Sequence, residues 1–177
     1  MSDQREKAEA FAALHVKGDP IILFNIWDAG GAKAVAEAGA KAIATGSHSV
    51  AVANGYDDGQ HVPLEFVLDS IARIVASVDL PVTLDFEGGY ATDADGLKAN
   101  IAKVIETGAI GINFEDQIVG GEGMYSVEQQ QTRIAAIRAS RSPSSSSSWR
   151  GRRMCSRPWT IRTASATARR STGSRTA

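Results

Sequence analysis

Four short apolar runs, each followed by a helix-forming stretch, set the limits on what the first 140 residues can become. IILFNIW (21–27), KAIATG (41–46), residues 81–86 and AIGINF (109–114) read as strands. Between them lie an Ala-rich helix at 32–39 and two amphipathic ones. Residues 63–79 carry Leu64, Val67, Leu68, Ile71, Ile74, Val75 and Val78 at helical spacing. Residues 94–107 do the same with Leu97, Ile101, Val104 and Ile105. An opening helix over 3–17 turns Ala8, Phe11, Ala12 and Leu14 inward. Ser126 with Gln129 resembles a capping box that opens a last helix, to about Arg138. The order is β-α four times, and right-handed crossovers make such strands parallel. A doubly wound sheet and part of a (β/α)8 barrel both satisfy it. No G-x-G-x-x-G opens the first βα turn, which weakens the dinucleotide-binding option.

Charge divides the chain in two. All 20 acidic residues lie within 1–140, whereas 141–177 holds nine arginines and no acid or lysine. That second segment is rich in Ser, Thr and Ala, lacks Leu, Val and Phe, and shows no strand or helix period. It is expected to be a low-complexity basic tail that stays disordered, because it buries too little apolar surface to offset its ordering entropy. An arginine-rich arm for nucleic acid lacks the aromatic platform it would need, so no nucleic-acid partner is expected. The composition shift is abrupt and interrupts a helical pattern, as in a GC-rich gene read out of frame. Residues 1–140 therefore stand as one unit and 141–177 as another. No apolar run approaches the ~20 residues of a membrane span. The charged N-terminus lacks a signal-peptide core, and the lone Cys155 excludes an internal disulfide framework and a Cys-based zinc site. A cytoplasmic location is the expectation.

Parallel strands share a C-terminal edge, and the acids gather there. Asp28 follows the first strand, Asp57 and Asp58 the second, Asp85 and Glu87 the third, Glu115 and Asp116 the fourth. Strand alternation sends Asp85 and Glu87 to the same side. Asp28 and Asp57 read as caps or loop acids. Asp58, Asp85, Glu87 and Glu115 together read as ligands of a hard cation, Mg2+ or Mn2+, since the donors are oxygens without His or Cys. Thr45, Gly46 and Ser47 offer hydroxyls and backbone N–H groups for a substrate carboxylate, or form an ordinary polar turn. VGGEGMYS (119–126) reads as a mobile lid or a merely flexible loop. His48 reads as a surface histidine sooner than a general base. Trp27 and Tyr90 could line a pocket or pack in the core.

Taken in order, NIWDAGGAKAVAEAGAKAIATGSHSVA, GYDDG, LDFEGGYA and GINFEDQ resemble the phosphoenolpyruvate mutase/isocitrate lyase superfamily over roughly residues 10–140. The resemblance implies a (β/α)8 barrel, usually oligomeric, of which about four βα units are present here. It implies Mg2+ at the C-terminal edge and a small 2-oxo or 2-hydroxy carboxylate substrate. The chemistry it implies is cleavage or formation of a C–C or P–C bond through a metal-stabilised enolate. Asp85-Phe86-Glu87-Gly88-Gly89-Tyr90-Ala91 is similar to the family's D-x-D-x-G-Y-G. Asp85 then takes the direct ligand's place, and Glu87, Asp58 and Glu115 those of the further acids, Asp58 and Glu115 with catalytic roles. Thr45, Gly46 and Ser47 take the place of the segment that holds the substrate carboxylate. The family's Lys-Cys-Gly-His lid has no counterpart in GGEGMYS, and nothing in 141–177 matches the later strands. The implied alternatives are a Mg2+-dependent oxo-acid decarboxylase or hydrolase, or an inactive half barrel.

Overall fold

The computed structural model describes residues 3–140 and 160–164. Its elements run α1 (Gln4–Ala13), β1 (Asn25–Ile26), α2 (Ala29–Glu37), β2 (Ile43–Thr45), α3 (Ser47–Ala53) and α4 (Leu64–Ser77). They continue β3 (Val82–Asp85), α5 (Ala94–Glu106), β4 (Gly111–Glu115), α6 (Val127–Ala139) and β5 (Thr160–Ala164). The five strands form one parallel sheet in the order β1-β2-β3-β4-β5. A doubly wound sheet reverses its order at a switch point. An order that follows the chain is instead that of a (β/α) barrel, here opened between β1 and β5.

Strands β2, β3 and β4 bury the face that meets the helices. Ile43, Val82, Leu84, Ile112 and Phe114 join one cluster with Leu68, Ile71 and Ile74 of α4, Leu97, Ile101 and Val104 of α5, and Ile137 of α6. The stripe expected over 63–79 is the stripe that packs, with Leu64, Val75 and Val78 half-buried at its margin. The capping box at Ser126 forms in full, with Gln129 reaching back to the Ser126 N–H at 2.8 Å.

Three expectations change. The run 21–27 contributes only Asn25 and Ile26 to the ladder, and Ile22 and Phe24 are exposed. Among the described residues β1 has a neighbour on one side alone, so nothing extends its pairing. The segment after β2 is a short helix, α3, where a loop was expected. Its Val-Ala-Val-Ala alternates as a strand would, which hides the helical period. Residues 160–164 form a fifth strand inside the segment expected to be disordered. Thr160, Ile161 and Thr163 are β-branched and suit a strand, a signal masked by the surrounding Arg and Ser. The rest of that expectation, 141–159 and 165–177, lies outside the described residues.

Helix α1 closes the edge opposite the acids. Asp3 and Glu6 form a capping box at its start. Ala8 and Phe11 pack on Ala42 and Ile110, which precede or begin β2 and β4. Gln4 Nε2 donates to the carbonyls of Ile105 and Ala109 at 3.0 and 2.8 Å, and Lys7 meets Asp79 at 3.0 Å. Ala12, expected inward, is exposed, because a helix ending at Ala13 touches the sheet along one narrow side. Among the described residues no helix is long and apolar enough to cross a membrane. Phe11→Ala should lower unfolding stability by about 3 kcal/mol in urea titration, the usual cost of emptying a buried aromatic site. It should leave the acid edge unchanged.

Candidate active site at the C-terminal edge

Thr45, Asp85 and Glu115 are the last residues of β2, β3 and β4, so the sheet itself sets them side by side. Asp85 is held twice. Its N–H donates to Thr45 Oγ1 at 2.9 Å, and its Oδ2 accepts the Ser47 N–H at 2.9 Å. Beyond it the chain leaves the ladder and turns. Gly89 N–H donates to Phe86 O at 2.8 Å, and Glu115 N–H donates to Glu87 O at 2.9 Å. Glu87 stands at φ 47 and Tyr90 at φ 56, the left-handed region that non-glycine residues rarely enter. Among the described residues the one other non-glycine case is Gln60, at φ 63. It lies in the loop that carries Asp58. All three surround the acids, and such strain, about 1–3 kcal/mol at each position, gathers at functional sites.

Strand alternation does not place Glu87. The ladder ends at Asp85, and Glu87 is buried in the turn. The charges still meet. Burial pushes the Glu87 carboxyl up to about 7, against a partial pull downward from the Gln60 N–H, and the charges of Asp58, Asp85 and Glu115 push it further. Glu115 is raised too, by burial first and then by Asp85, Asp58 and Asp116. The four acids expected to act together thus share one electrostatic neighbourhood. Among the described residues no lysine or arginine pairs with Asp85, Glu87 or Glu115. His48 Nδ1 lies 3.6 Å from Asp58 Oδ2, both side chains being exposed.

No three His, Cys, Asp or Glu side chains among the described residues close into a cage. That excludes a compact all-protein site of the structural-zinc kind. The donors present are carboxylate oxygens, the chemistry a hard cation such as Mg2+ takes, one or two directly and the rest through water. Unpaired negative charge at a strand edge is what such an ion would neutralise.

Other expected residues sort plainly. The Gly46 N–H is spent on Ile26 O, at 3.3 Å, and the Ser47 N–H on Asp85. A side chain at Gly46 would strike Ser49 Oγ at 2.8 Å, so its smallness serves close packing. What Thr45 and Ser47 still offer is their hydroxyls. Both line a crevice of about 10 Å3, room for about one water, with Asp85, Glu87 and Tyr90. Burial, then the charges of Glu87, Asp85 and Asp58, raise the Tyr90 phenol, which therefore keeps its proton. Asp28 caps α2 by accepting the Gly31 N–H at 2.6 Å, and Asp57 is exposed. Trp27 lies in a separate groove with Asp28, Phe66 and Arg73. The 119–126 loop is bonded at its base, Tyr125 N–H to Asp116 O at 2.8 Å and Ile118 N–H to Gly123 O at 3.1 Å.

Sequence reasoning missed Asn100, Gln130 and Arg133. Asn100 and Arg133 bond the carbonyls of the Gly88–Ala91 turn, and Gln130 Nε2 that of Glu115 at 3.0 Å. A signal existed: Gln130, Arg133 and Ile137 recur at i, i+3 and i+7 on one buried face of α6.

Two outcomes follow. A carboxyl at about 7 in the folded chain, against 4.5 when solvated, binds its proton more tightly folded than unfolded. Its contribution to stability is full below about 4.5 and is lost as pH rises through about 7. In urea titrations of the metal-free protein, Glu87→Gln should therefore gain on the wild type between pH 5 and pH 8. Gly89→Ala should cost about 3 kcal/mol, because a Cβ at φ 82 would lie 2.6 Å from Leu97 Cδ2 and 3.0 Å from Phe114 Cε2. At Gly120, φ 73 with nothing within 4 Å, the same change should cost about 1 kcal/mol.

Comparison with known proteins gives a family and a fold. The family model described as phosphoenolpyruvate phosphomutase matches residues 11–146. The crystal structure of a phosphonomutase candidate from Burkholderia cenocepacia J2315 is 46% identical with a TM-score of 0.75, covering 76% of this chain and 55% of that one. The 2-methylisocitrate lyase of Escherichia coli K12 is 30% identical over 111 residues, 62% of this chain and 38% of the lyase. A phosphonopyruvate hydrolase, solved with oxalate and Mg2+, shares the fold at 21% identity and a TM-score of 0.72, over 77% of this chain and 48% of that one. The chain spans about half the length of these relatives.

Proposed function

The chain belongs to the phosphoenolpyruvate phosphomutase family, and from that premise we propose that its acid edge is the metal half of a Mg2+- or Mn2+-dependent lyase or mutase site. The reaction is cleavage or formation of a C–C or P–C bond in a small 2-oxo or 2-hydroxy carboxylate. The observation that carries the reading is the unpaired charge: burial and the neighbouring carboxylates raise the proton affinity of Glu87 and Glu115, with no lysine or arginine paired to Asp85, Glu87 or Glu115 among the described residues.

The residues divide the work by their partners. Asp85 is fixed through its N–H and Oδ2, which leaves Oδ1 for an ion. Glu87, Asp58 and Glu115 would hold the ion with it, directly or through water. When bound, a divalent cation supplies charge neutralisation and Lewis-acid polarisation of a substrate oxygen. Binding it takes the proton off Glu87, so affinity should fall as pH drops below about 7. The hydroxyls of Thr45 and Ser47 would orient the substrate carboxylate, while Gly46 lets the segment pack against Ser49 and Asn25. Tyr90, held protonated by its acidic neighbours, is a donor at the same crevice. Glu115, its proton affinity raised by burial and by the charges of Asp85, Asp58 and Asp116, is the acid of the cluster proposed to hold or release a proton. The lid sequence GGEGMYS has no cysteine or lysine, which speaks against turnover by a lid thiol as in the isocitrate lyase type.

A second reading has its own observation. Among the described residues β1 and β5 are each paired on one side alone, and exposed Ile22 and Phe24 beside β1 favour association with further copies. On that reading the chain binds the metal and turns nothing over.

Mn2+ titration followed by electron paramagnetic resonance tests the site. Wild type should bind, and Asp85→Ala should lose more than about 100-fold in affinity, beyond the ~10–100-fold cost of an outer-shell change. Equal binding by both proteins sinks the assignment. Assays with phosphonopyruvate, oxaloacetate and 2-methylisocitrate under Mg2+ then separate a working lyase from a metal-binding half barrel.

A further inference from the structure

Four successive carbonyls of the turn beyond Glu87 are taken by two side chains from different helices. Arg133 of α6 donates through Nη2 to Gly88 O at 2.6 Å and to Ala91 O at 3.2 Å. Asn100 of α5 donates to Gly89 O and Tyr90 O, each at 3.1 Å. Arginine thus grips the two ends of the segment and asparagine its middle.

Arg133 is an unusual residue to bury. It is 5% exposed, and its guanidinium carbon lies 3.8 Å from the centre of the Tyr125 ring and 4.9 Å from that of Phe114. Among the described residues no carboxylate pairs with it, and its Nε and Nη1 have no hydrogen-bond partner. A buried cation without a counter-charge is costly, even with aromatic faces beside it. Apolar packing alone would be better served by methionine or leucine. What arginine adds is a donor that reaches two carbonyls three residues apart. The backbone between them and just before them holds Glu87 and Tyr90 in the left-handed region, a conformation that persists only when its surroundings over-determine it.

We propose that Arg133 is a positioning residue: by gripping Gly88 O and Ala91 O it holds the strained turn and so fixes where Asp85 and Glu87 stand. Its metal arm rests on the reading of these acids as cation ligands; its backbone arm does not.

The backbone arm is amide hydrogen exchange of the metal-free chain. In Arg133→Met, exchange should rise about tenfold at Gly89, bonded to Phe86 O, and at Glu115, bonded to Glu87 O. Ile110, bonded to Val82 O lower in the sheet, should exchange as in wild type. The metal arm is Mn2+ affinity, which should fall about 10-fold or more in Arg133→Met, the scale of losing a residue that orients a ligand. Arg133→Lys keeps a buried donor and should recover part of both losses. If Arg133→Met does not fold, Tyr125→Leu, which removes the ring beneath the guanidinium, should raise exchange at the same two amides. A folded Arg133→Met with wild-type exchange at Gly89 and Glu115 overturns the proposal. Faster exchange in a variant whose wild type binds no Mn2+ supports the grip and ends the metal reading instead.

Discussion

Like charges held together, with no lysine or arginine paired to Asp85, Glu87 or Glu115 among the described residues, are the condition around which the rest of this structure is arranged. Asp85, Glu87 and Glu115 would separate if the chain were free to move them. The strand ladder prevents that for Asp85 and Glu115, which are terminal residues of adjacent parallel strands. Glu87 has no ladder position and is held by a turn instead. The repulsion is relieved by protonation, which is why burial and neighbouring charge move Glu87 to about 7. A carboxyl poised there exchanges its proton for a cation at little cost near neutral pH. The same arrangement that weakens the empty fold is what makes the edge receptive.

Stability and function occupy opposite edges of one sheet. At the N-terminal edge α1 supplies a capped helix, a buried Phe11 and side-chain bonds to carbonyls of the α5–β4 connection. None of that network is strained. At the C-terminal edge the non-glycine left-handed residues of the described chain are collected, with buried polar atoms that lack partners at Gln60, Asn113, Asp116 and Arg133. Parallel βα units make this division natural, since every strand delivers its last residue to the same side.

The parts legible in the sequence are those where one local rule decides the outcome. The α4 stripe, the Ser126 capping box and the strand-terminal acids each follow from spacing alone. Period two failed at Glu87, because the ladder ends at Asp85, two residues short of it, and the chain turns there toward Gly88 and Gly89. Helix α3 was not read at all, since its Val50 to Ala53 alternate large and small and show no helical period. Arg133 was illegible for a different reason. Its partners are backbone carbonyls 42 and 45 residues away, and a carbonyl leaves no mark in a sequence. β5 needed a neighbour to be a strand at all: its pairing is with β4, and its composition resembles the segment around it.

The acid half of the site is nevertheless encoded within one continuous stretch. Thr45 through Arg133 contain every acid of the cluster, both carbonyl-gripping side chains and the aromatic ring under the guanidinium. Three βα units of a barrel therefore suffice to assemble it, whatever completes the remaining wall. Closure of a barrel excludes water and adds contacts from later strands, so it bears on turnover. It is not required for the first-order electrostatics, because the charges that raise Glu87 come from the loops after β2, β3 and β4 alone. On the proposed reading metal affinity and turnover are thus separable, and only the second depends on what lies beyond the outer edges of β1 and β5.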